Sequence, residues 1–485
     1  MPHNLLTLVF DGLQPAFLGP YGNTWVATPA WNRLAAESLL LERLHLDRAA
    51  QSADPAISQI AADFTTAAWA GFPAWLMNLP DDLESLYTHC PPVSGPAFQP
   101  RPSLSSNSAL LWQKLRAAGY HTLLITDEPA VLQLPAASEF VEQLWLELPL
   151  PATAASDWTG TQLAQIFATL TEALAAAPQP WAVWLHTGSL LRTWDAPYEM
   201  RGALADEDDP DPPRDLLPPR GFTLDPDPDL LLGCRQSYAA QIQVLDECLA
   251  AFSDNAAQLS ATAAAWWLLL SSGGYPLAEH GVWGRTPPLP HRELTSCVGM
   301  LRPPRGFTGF MPEWGSGAGE RLVGLTQPCD IRPTLEQMLA APLPASDLKG
   351  ETVWPAAVCG QSWLDGVAEV TRPLRDRQYL LAQIGQAAME DNSPQEKGGR
   401  ETLGVSTEHW RYWRSLPTGQ QAELTTSRLY VHPDDDAEVN NVVDRCPAEV
   451  AACDELCTQW QERRTTAAWQ LPLAELPPVL HDRVQ

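Results

Sequence analysis

The chain opens on an apolar run, Leu5-Leu6-Thr7-Leu8-Val9-Phe10, that leads directly into Asp11-Gly12. A run this short and this continuous predicts a strand buried on both faces, as in a parallel sheet. Thr28-Pro29 then reads as a capping residue followed by proline at the first helical position, and Trp31, Leu34, Ala35 and Leu39 continue as a helical stripe. The strand-loop-helix unit repeats. Leu110, Leu111, Lys114, Leu115 and Ala118 form a helix closed by Gly119, followed by a buried strand from Tyr120 that again ends in an acid, Asp127. Leu163, Ile166, Phe167, Leu170 and Leu174 share one helical face ahead of the strand Trp181 to His186. Tyr238, Ile242, Leu245, Leu249 and Phe252 do the same ahead of Ala264 to Leu270, and Asp330 caps a helix from Pro333 to Leu339. This alternation predicts an α/β fold, a mostly parallel central sheet sandwiched by helices.

The texture changes beyond about residue 370. Short segments around Tyr379 to Ile384, Trp410 to Trp413 and Arg428 to Val431 predict a small antiparallel sheet, with a closing helix from Pro447 to about Arg464. The expected organisation is therefore an α/β domain over residues 1–370 and a C-terminal α+β subdomain over 371–485. Residues 203 to 230, rich in Pro and Asp, read as a solvated loop.

Composition narrows the function classes. A net charge of −28 on 485 residues, with no basic stripe, argues against nucleic acid or an anionic membrane as partner. No apolar stretch reaches the roughly 18 residues a membrane span needs. The first apolar run is a core strand rather than a signal segment, so a cytoplasmic location is expected. The nine cysteines are scattered, and Cys446, Cys453 and Cys457 lack a paired CxxC, which predicts buried thiols rather than zinc ligands. Twenty tryptophans raise the possibility of a protein partner or a homo-oligomer. No phosphate loop of the GxxxxGK(S/T) type, no HExxH helix and no GxSxG elbow is present.

Strand ends of open α/β sheets are where ligands bind, so Asp11 stands where a metal or phosphoryl-type site would begin; alternatively it starts the turn. Several segments settle which expectation to carry. Asn4 to Asp11, Leu18-Gly19-Pro20-Tyr21-Gly22-Asn23 and Thr28-Pro29-Ala30-Trp31-Asn32-Arg33-Leu34-Ala35 resemble the opening strand, YG loop and TPNLDRLA helix of the sulfatase family, within the alkaline-phosphatase-like superfamily. Trp184-Leu185-His186 with Trp194-Asp195-Ala196-Pro197, then Ala278-Glu279-His280-Gly281-Val282-Trp283-Gly284, are similar to its WLHxxDPHxPWDPP and GEHGLWG segments. Gln327 to Leu335 is similar to QxxDLxPTLL, and Leu429 to Asn441 resembles LYDLxxDPxExxN. Order and spacing agree over nearly the whole chain.

The same resemblance shows what is missing. The family's CxPxR or SxPxR motif supplies a formylglycine nucleophile and a supporting arginine; the matching window here is Ala53-Asp54-Pro55-Ala56-Ile57, so the nucleophile position reads Ala53. Moving the frame to Ser52 still finds no arginine. The paired acids of the family's first strand become Asp11-Gly12, and its later DHG element becomes Ser272-Gly273-Gly274, leaving Asp11 as a metal-site remnant. The histidine of DPH aligns with Leu191. Calcium takes six to eight oxygens, several of them charged, so it is expected only if unaligned ligands complete the site; otherwise no cofactor is expected. His186, His280 and Arg285, the last near a family lysine that contacts sulfate, are the pocket remnants. His45, Asp47, Arg48 and Asp54, close to the lost motif, form a candidate replacement site.

The resemblance thus implies a sulfatase-family protein that has lost sulfuric ester hydrolase activity and serves as a ligand-binding or interaction protein. The alternative is an active hydrolase of sulfate or phosphate esters that uses Asp11 with relocated metal ligands. An enzyme lowers its barrier by about 8 kcal/mol or more, and the aligned residues offer no group to do so.

Overall fold

The computed structural model describes residues 3–50, 58–71, 73–74, 104–222, 227–258, 260–285, 290–307, 319–339, 360–364, 377–385, 400–417, 426–465 and 474–482. The central strand, β1 (Asn4–Gly12), is buried along its whole length. Its residues alternate between two cores, as a period of two requires. Leu6, Leu8 and Phe10 point into one layer, while Leu5 and Val9 point into the other.

The large sheet takes β2 (Leu39–His45), β4 (His121–Thr126), β5 (Glu142–Trp145), β6 (Trp181–Thr187), β8 (Ala265–Gly274), β10 (Ser296–Cys297), β11 (Gly299–Arg302) and β12 (Glu320–Thr326) in addition to β1. Its order is β10-β2-β11-β8-β1-β6-β4-β5, with β12 alongside β2. β1 runs parallel to β6 and β8, and β4 and β5 continue the parallel set. Only β10 and β11 run against the others. A two-residue ribbon joins β7 (Gly221–Phe222) to β9 (Val282–Trp283).

Helices cover both faces. On one lie α4 (Gln162–Ala176) and α5 (Pro228–Gln258), which bury Ile166, Leu170, Leu245 and Leu249 against β1 and β6. On the other lie α2 (Gln59–Ala70), α3 (Leu104–Ala117) and α6 (Ile331–Met338). Trp69 of α2 meets Trp112 of α3 and Trp184 of β6 edge to face, each with ring centroids 5.5 Å from Trp69 except the Trp112–Trp184 pair at 6.1 Å. Such pairs add about 0.5–1.5 kcal/mol beyond the area they bury. Eleven tryptophans rank among the largest fully buried side chains, and Trp25 and Trp145 are the ones exposed among the described residues. The tryptophan count is therefore a property of the cores.

One expected helix is shorter than its stripe. α1 (Pro29–Ala36) ends at the Glu37 cap, and Leu39 starts β2 instead of continuing the helix. Leu39, Leu40 and Leu41 are all buried, which suits a strand covered on both faces and not a surface helix with one polar side.

The second sheet has the order β16-β15-β14-β13-β3, using β3 (Arg48–Ala50), β13 (Tyr379–Gly385), β14 (Arg400–Thr407), β15 (Trp410–Pro417) and β16 (Thr426–Val431). Three antiparallel pairings and one parallel pairing, β3 with β13, hold it. One face receives α7 (Pro447–Thr465), whose Cys453, Leu456, Cys457 and Trp460 pack on Leu403, Val405 and Leu429. The opposite face sends Ala382, Ile384, Trp413 and Tyr430 into the core of the main sheet. β14 escapes a reading by pattern because its centre is Gly404, and the structure gives that glycine a reason. It faces Trp413 across the ladder, and a Cβ there would lie 1.9 Å from the indole Cζ3.

Gly404→Ala should therefore lower stability by about 1–3 kcal/mol in urea unfolding, the usual range for overpacking. Adding Trp413→Leu should recover part of the loss, since the contact that forbids the methyl is the indole itself.

Candidate functional site

The three central strands β8, β1 and β6 end together at one edge of the sheet. Register shifts between Phe10 and Gly12 where β1 meets β8, and Gly12 takes φ +94°, a left-handed conformation that a larger residue adopts only with strain. A Cβ on Gly12 would also lie 2.7 Å from Leu191 Cδ2. The bulge leaves Asp11, wholly buried, at the strand end beside Ser272 of β8 and His186 of β6.

Four donors converge on or behind Asp11. Ser58 Oγ donates to Oδ2 at 2.8 Å, and Ser272 Oγ donates to Oδ1 at 2.8 Å. Arg285 Nη1 forms an ion pair with Oδ1. The same guanidinium donates from Nε to the Gly274 carbonyl at 2.8 Å and from Nη2 to the Gly273 carbonyl at 2.6 Å. Arg285 is thus held on three sides, with 9% of its side chain exposed.

His186 stands behind Ser272. Its Nε2 lies 3.3 Å from Ser272 Oγ and its Nδ1 lies 3.2 Å from Thr65 Oγ1. Ser272 has a single proton and gives it to Asp11, so the hydrogen-bond pattern assigns the imidazole proton to Nε2 and makes Thr65 the donor to Nδ1. Burial pushes the His186 imidazole down to about 4, against the pull of Asp11 and Asp127, so the ring is neutral at physiological pH.

Ser58 is placed by helix α2. It caps the helix, its Oγ accepting from the Ala61 amide at 3.2 Å, while its own amide donates to Glu128 Oε1 at 3.1 Å. Glu128 belongs to a second charge cluster after β4. Asp127 accepts from the Gly188 amide at 2.9 Å and from Thr187 Oγ1 at 3.1 Å, and Arg192 bridges it to Glu128, reaching Glu128 Oε2 at 3.2 Å. Burial, and next the charge of Asp11, raise the Glu128 carboxyl to about 7.

The structure brings together Asp11, His186 and Arg285, three residues singled out from sequence, and leaves His280 elsewhere. His280 Nδ1 sits 2.6 Å from Glu293 Oε1, its Nε2 3.1 Å from the Glu438 carbonyl, and its ring stacks on His291 at 3.6 Å. These contacts fix the loop after β8 against the chain beyond β16. His45, Asp47 and Arg48 do not converge on Asp11 either: Arg48 pairs with Asp63 at 2.6 Å, Asp47 accepts from the Ala74 amide, and His45 lies 3.5 Å from Ser296 Oγ. Ala53 and Asp54 lie outside the described residues. The hydroxyl that reaches Asp11 is that of Ser58, five positions beyond Ala53; its sequence signal is that of a helix cap, not of a reactive group. Glu128 and Arg192 carried no motif at all. Among the described residues no group of three or more His, Cys, Asp or Glu side chains is arranged to hold a metal ion, and no helix is long and apolar enough to cross a membrane.

The sequence matches no family model and no curated protein. Solved structures give the fold. A protein crystallised with its substrate D-glucosamine-2-N,6-O-disulfate aligns with TM-score 0.64 and 13% identity, over 96% of this chain and 98% of the other. A phosphonate monoester hydrolase from Agrobacterium radiobacter aligns with TM-score 0.64 and 16% identity, covering 96% of each chain. A 2-O GAG sulfatase aligns with TM-score 0.60 and 13% identity, over 99% of this chain and 96% of that one. The chain has the fold of these solved sulfatase and phosphonate monoester hydrolase structures along nearly its full length.

The position of Glu128 makes a pH prediction. A carboxyl raised from 4.5 to about 7 on folding contributes stability that is complete below 4.5 and lost as pH rises through about 7. Glu128→Gln, which keeps an acceptor for the Ser58 amide, should flatten the decline in unfolding free energy across that window.

Proposed function

We propose that this protein is a non-hydrolytic relative of the sulfatases, acting as a ligand-binding or interaction protein. The observation that carries this reading is the seat of Arg285. Its guanidinium balances the charge of Asp11 and donates to the carbonyls of Gly273 and Gly274, the oxygens a cation at this strand end would seek. A second cation beside Asp11 would meet like charge at close range, where about 4 kcal/mol per pair is typical at 4 Å near a protein surface. The donor set argues the same way. One carboxylate and two hydroxyls already committed to it are a poor match for calcium, which needs several charged oxygens. Without a bound divalent ion, polarisation of an ester and activation of a nucleophile both lack an agent.

A second reading, turnover through Ser58, draws on one contact: Ser58 Oγ lies 2.8 Å from Asp11 Oδ2 at the start of a helix. Against it, that hydroxyl gives its proton to a carboxylate already paired with Arg285, and neutral His186 faces Ser272 instead of Ser58. A cytoplasmic location fits the seven described cysteines, all buried and none joined by a disulfide to another described residue.

Assays of the purified protein with aryl sulfates and aryl phosphates, together with elemental metal analysis, test the proposal. The expected result is turnover no faster than buffer and metal far below one equivalent. Turnover that disappears in Ser58→Ala or Asp11→Ala would establish a hydrolase instead.

A further inference from the structure

A cavity of about 440 Å³ opens toward the β2 side of the large sheet, between the end of β2, the loop at Pro20 and Tyr21, and the β14–β15 turn. Its chemistry inverts that of the chain. Overall the sequence has 30 Lys and Arg against 58 Asp and Glu. The cavity presents the guanidinium groups of Arg43, Arg292, Arg321 and Arg411 against only two carboxylates, Glu42 and Asp436. His45 and His432 complete the polar wall.

These cations are not equally committed. Arg411 Nε lies 2.8 Å from Glu438 Oε1, Arg292 pairs with Asp436, and Arg321 Nη1 lies 3.1 Å from Glu42 Oε1. Arg43 donates to the Glu408 carbonyl at 3.1 Å and has no carboxylate partner among the described residues. His432 Nε2 is buried without a hydrogen-bond partner, while its Nδ1 is 3.7 Å from Asp436 Oδ1. A guanidinium without a carboxylate partner among the described residues and an orphaned imidazole nitrogen share one concave site.

We propose that this cavity binds a small oxyanion, its charge held by Arg43 and His432. The site stands apart from Asp11. Three strand spacings, β1 to β8 to β11 to β2, separate the two strand ends by about 14 Å. The inference is therefore independent of whether the Asp11 site turns over an ester.

Electrostatics gives the binding a pH dependence. Burial, then the Arg411 charge, push His432 down to about 4, and burial with Arg411, His432, Arg43 and Arg292 holds His45 well below its usual range. Arg321 adds to this positive field; Glu42, Asp436 and, behind Arg411, Glu438 oppose it. An anion among these groups raises both imidazoles, so binding takes up protons and tightens as pH falls below neutral.

Isothermal titration of the full-length protein with benzenesulfonate, which stays ionised throughout, tests the proposal, with benzylamine as the comparison. Benzenesulfonate should bind one per chain, more tightly at lower pH and less tightly in high salt. Arg43→Gln should weaken it about tenfold or more, the scale of one charge-assisted hydrogen bond. Arg43→Lys should retain most of the affinity, and Ser58→Ala should leave it unchanged. Absence of binding at millimolar benzenesulfonate, equal affinity in a folded Arg43→Gln protein, or equal binding of benzylamine would overturn the proposal.

Discussion

A carboxylate buried at the end of a central strand costs several kcal/mol in lost hydration unless donors and an opposite charge surround it. Asp11 has both, and the opposite charge comes from Arg285. Much of the local architecture is arranged around this pair. The Gly12 bulge turns the strand end, Gly273 at φ +106° carries the adjoining β8 backbone past Leu294, and the carbonyls of Gly273 and Gly274 accept two more of the guanidinium's protons. A glycine is required where the backbone passes so close. At Gly274 a Cβ would lie 2.0 Å from the Glu293 carbonyl oxygen.

The network reaches outward from that pair along short links. Thr65 donates to His186, His186 to Ser272, and Ser272 to Asp11, so every proton in the row is directed toward the one carboxylate. Ser58 ties the same carboxylate to the first turn of α2, and through its amide to Glu128 and Arg192. Sheet and helix are thereby locked together at the strand-end edge of the sheet. The proposed loss of hydrolysis rests on this internal satisfaction of the site.

The fold was legible because its strands are apolar runs buried on both faces and its helices carry clean stripes. β1, β4, β6 and β8 fall where the pattern puts them, as do α4 and α7. Failures have physical causes. Leu39 satisfies a helical spacing from Trp31 and Leu34, yet three consecutive buried leucines belong to a strand. β14 hides behind Gly404, whose value lies in what it does not have. At the site, Asp11, His186 and Arg285 could be found because each sits in a segment with recognisable neighbours. Ser58, Glu128 and Arg192 could not, since their roles arise from contacts between elements: a helix cap reaching a strand end, and a strand-end acid reaching an arginine 64 residues away.

A double-mutant cycle on Asp11 and Arg285, read by equilibrium unfolding, addresses the central claim most directly. Asp11→Asn and Arg285→Gln should each be strongly destabilising, about 3–5 kcal/mol, because each leaves the other's charge buried and alone. If Arg285 is the cation of this site, the double variant should cost well below the sum of the two, with a coupling energy of about 2 kcal/mol or more. Additivity to within about 0.5 kcal/mol would contradict the account, since Asp11 would then have some other counter-charge.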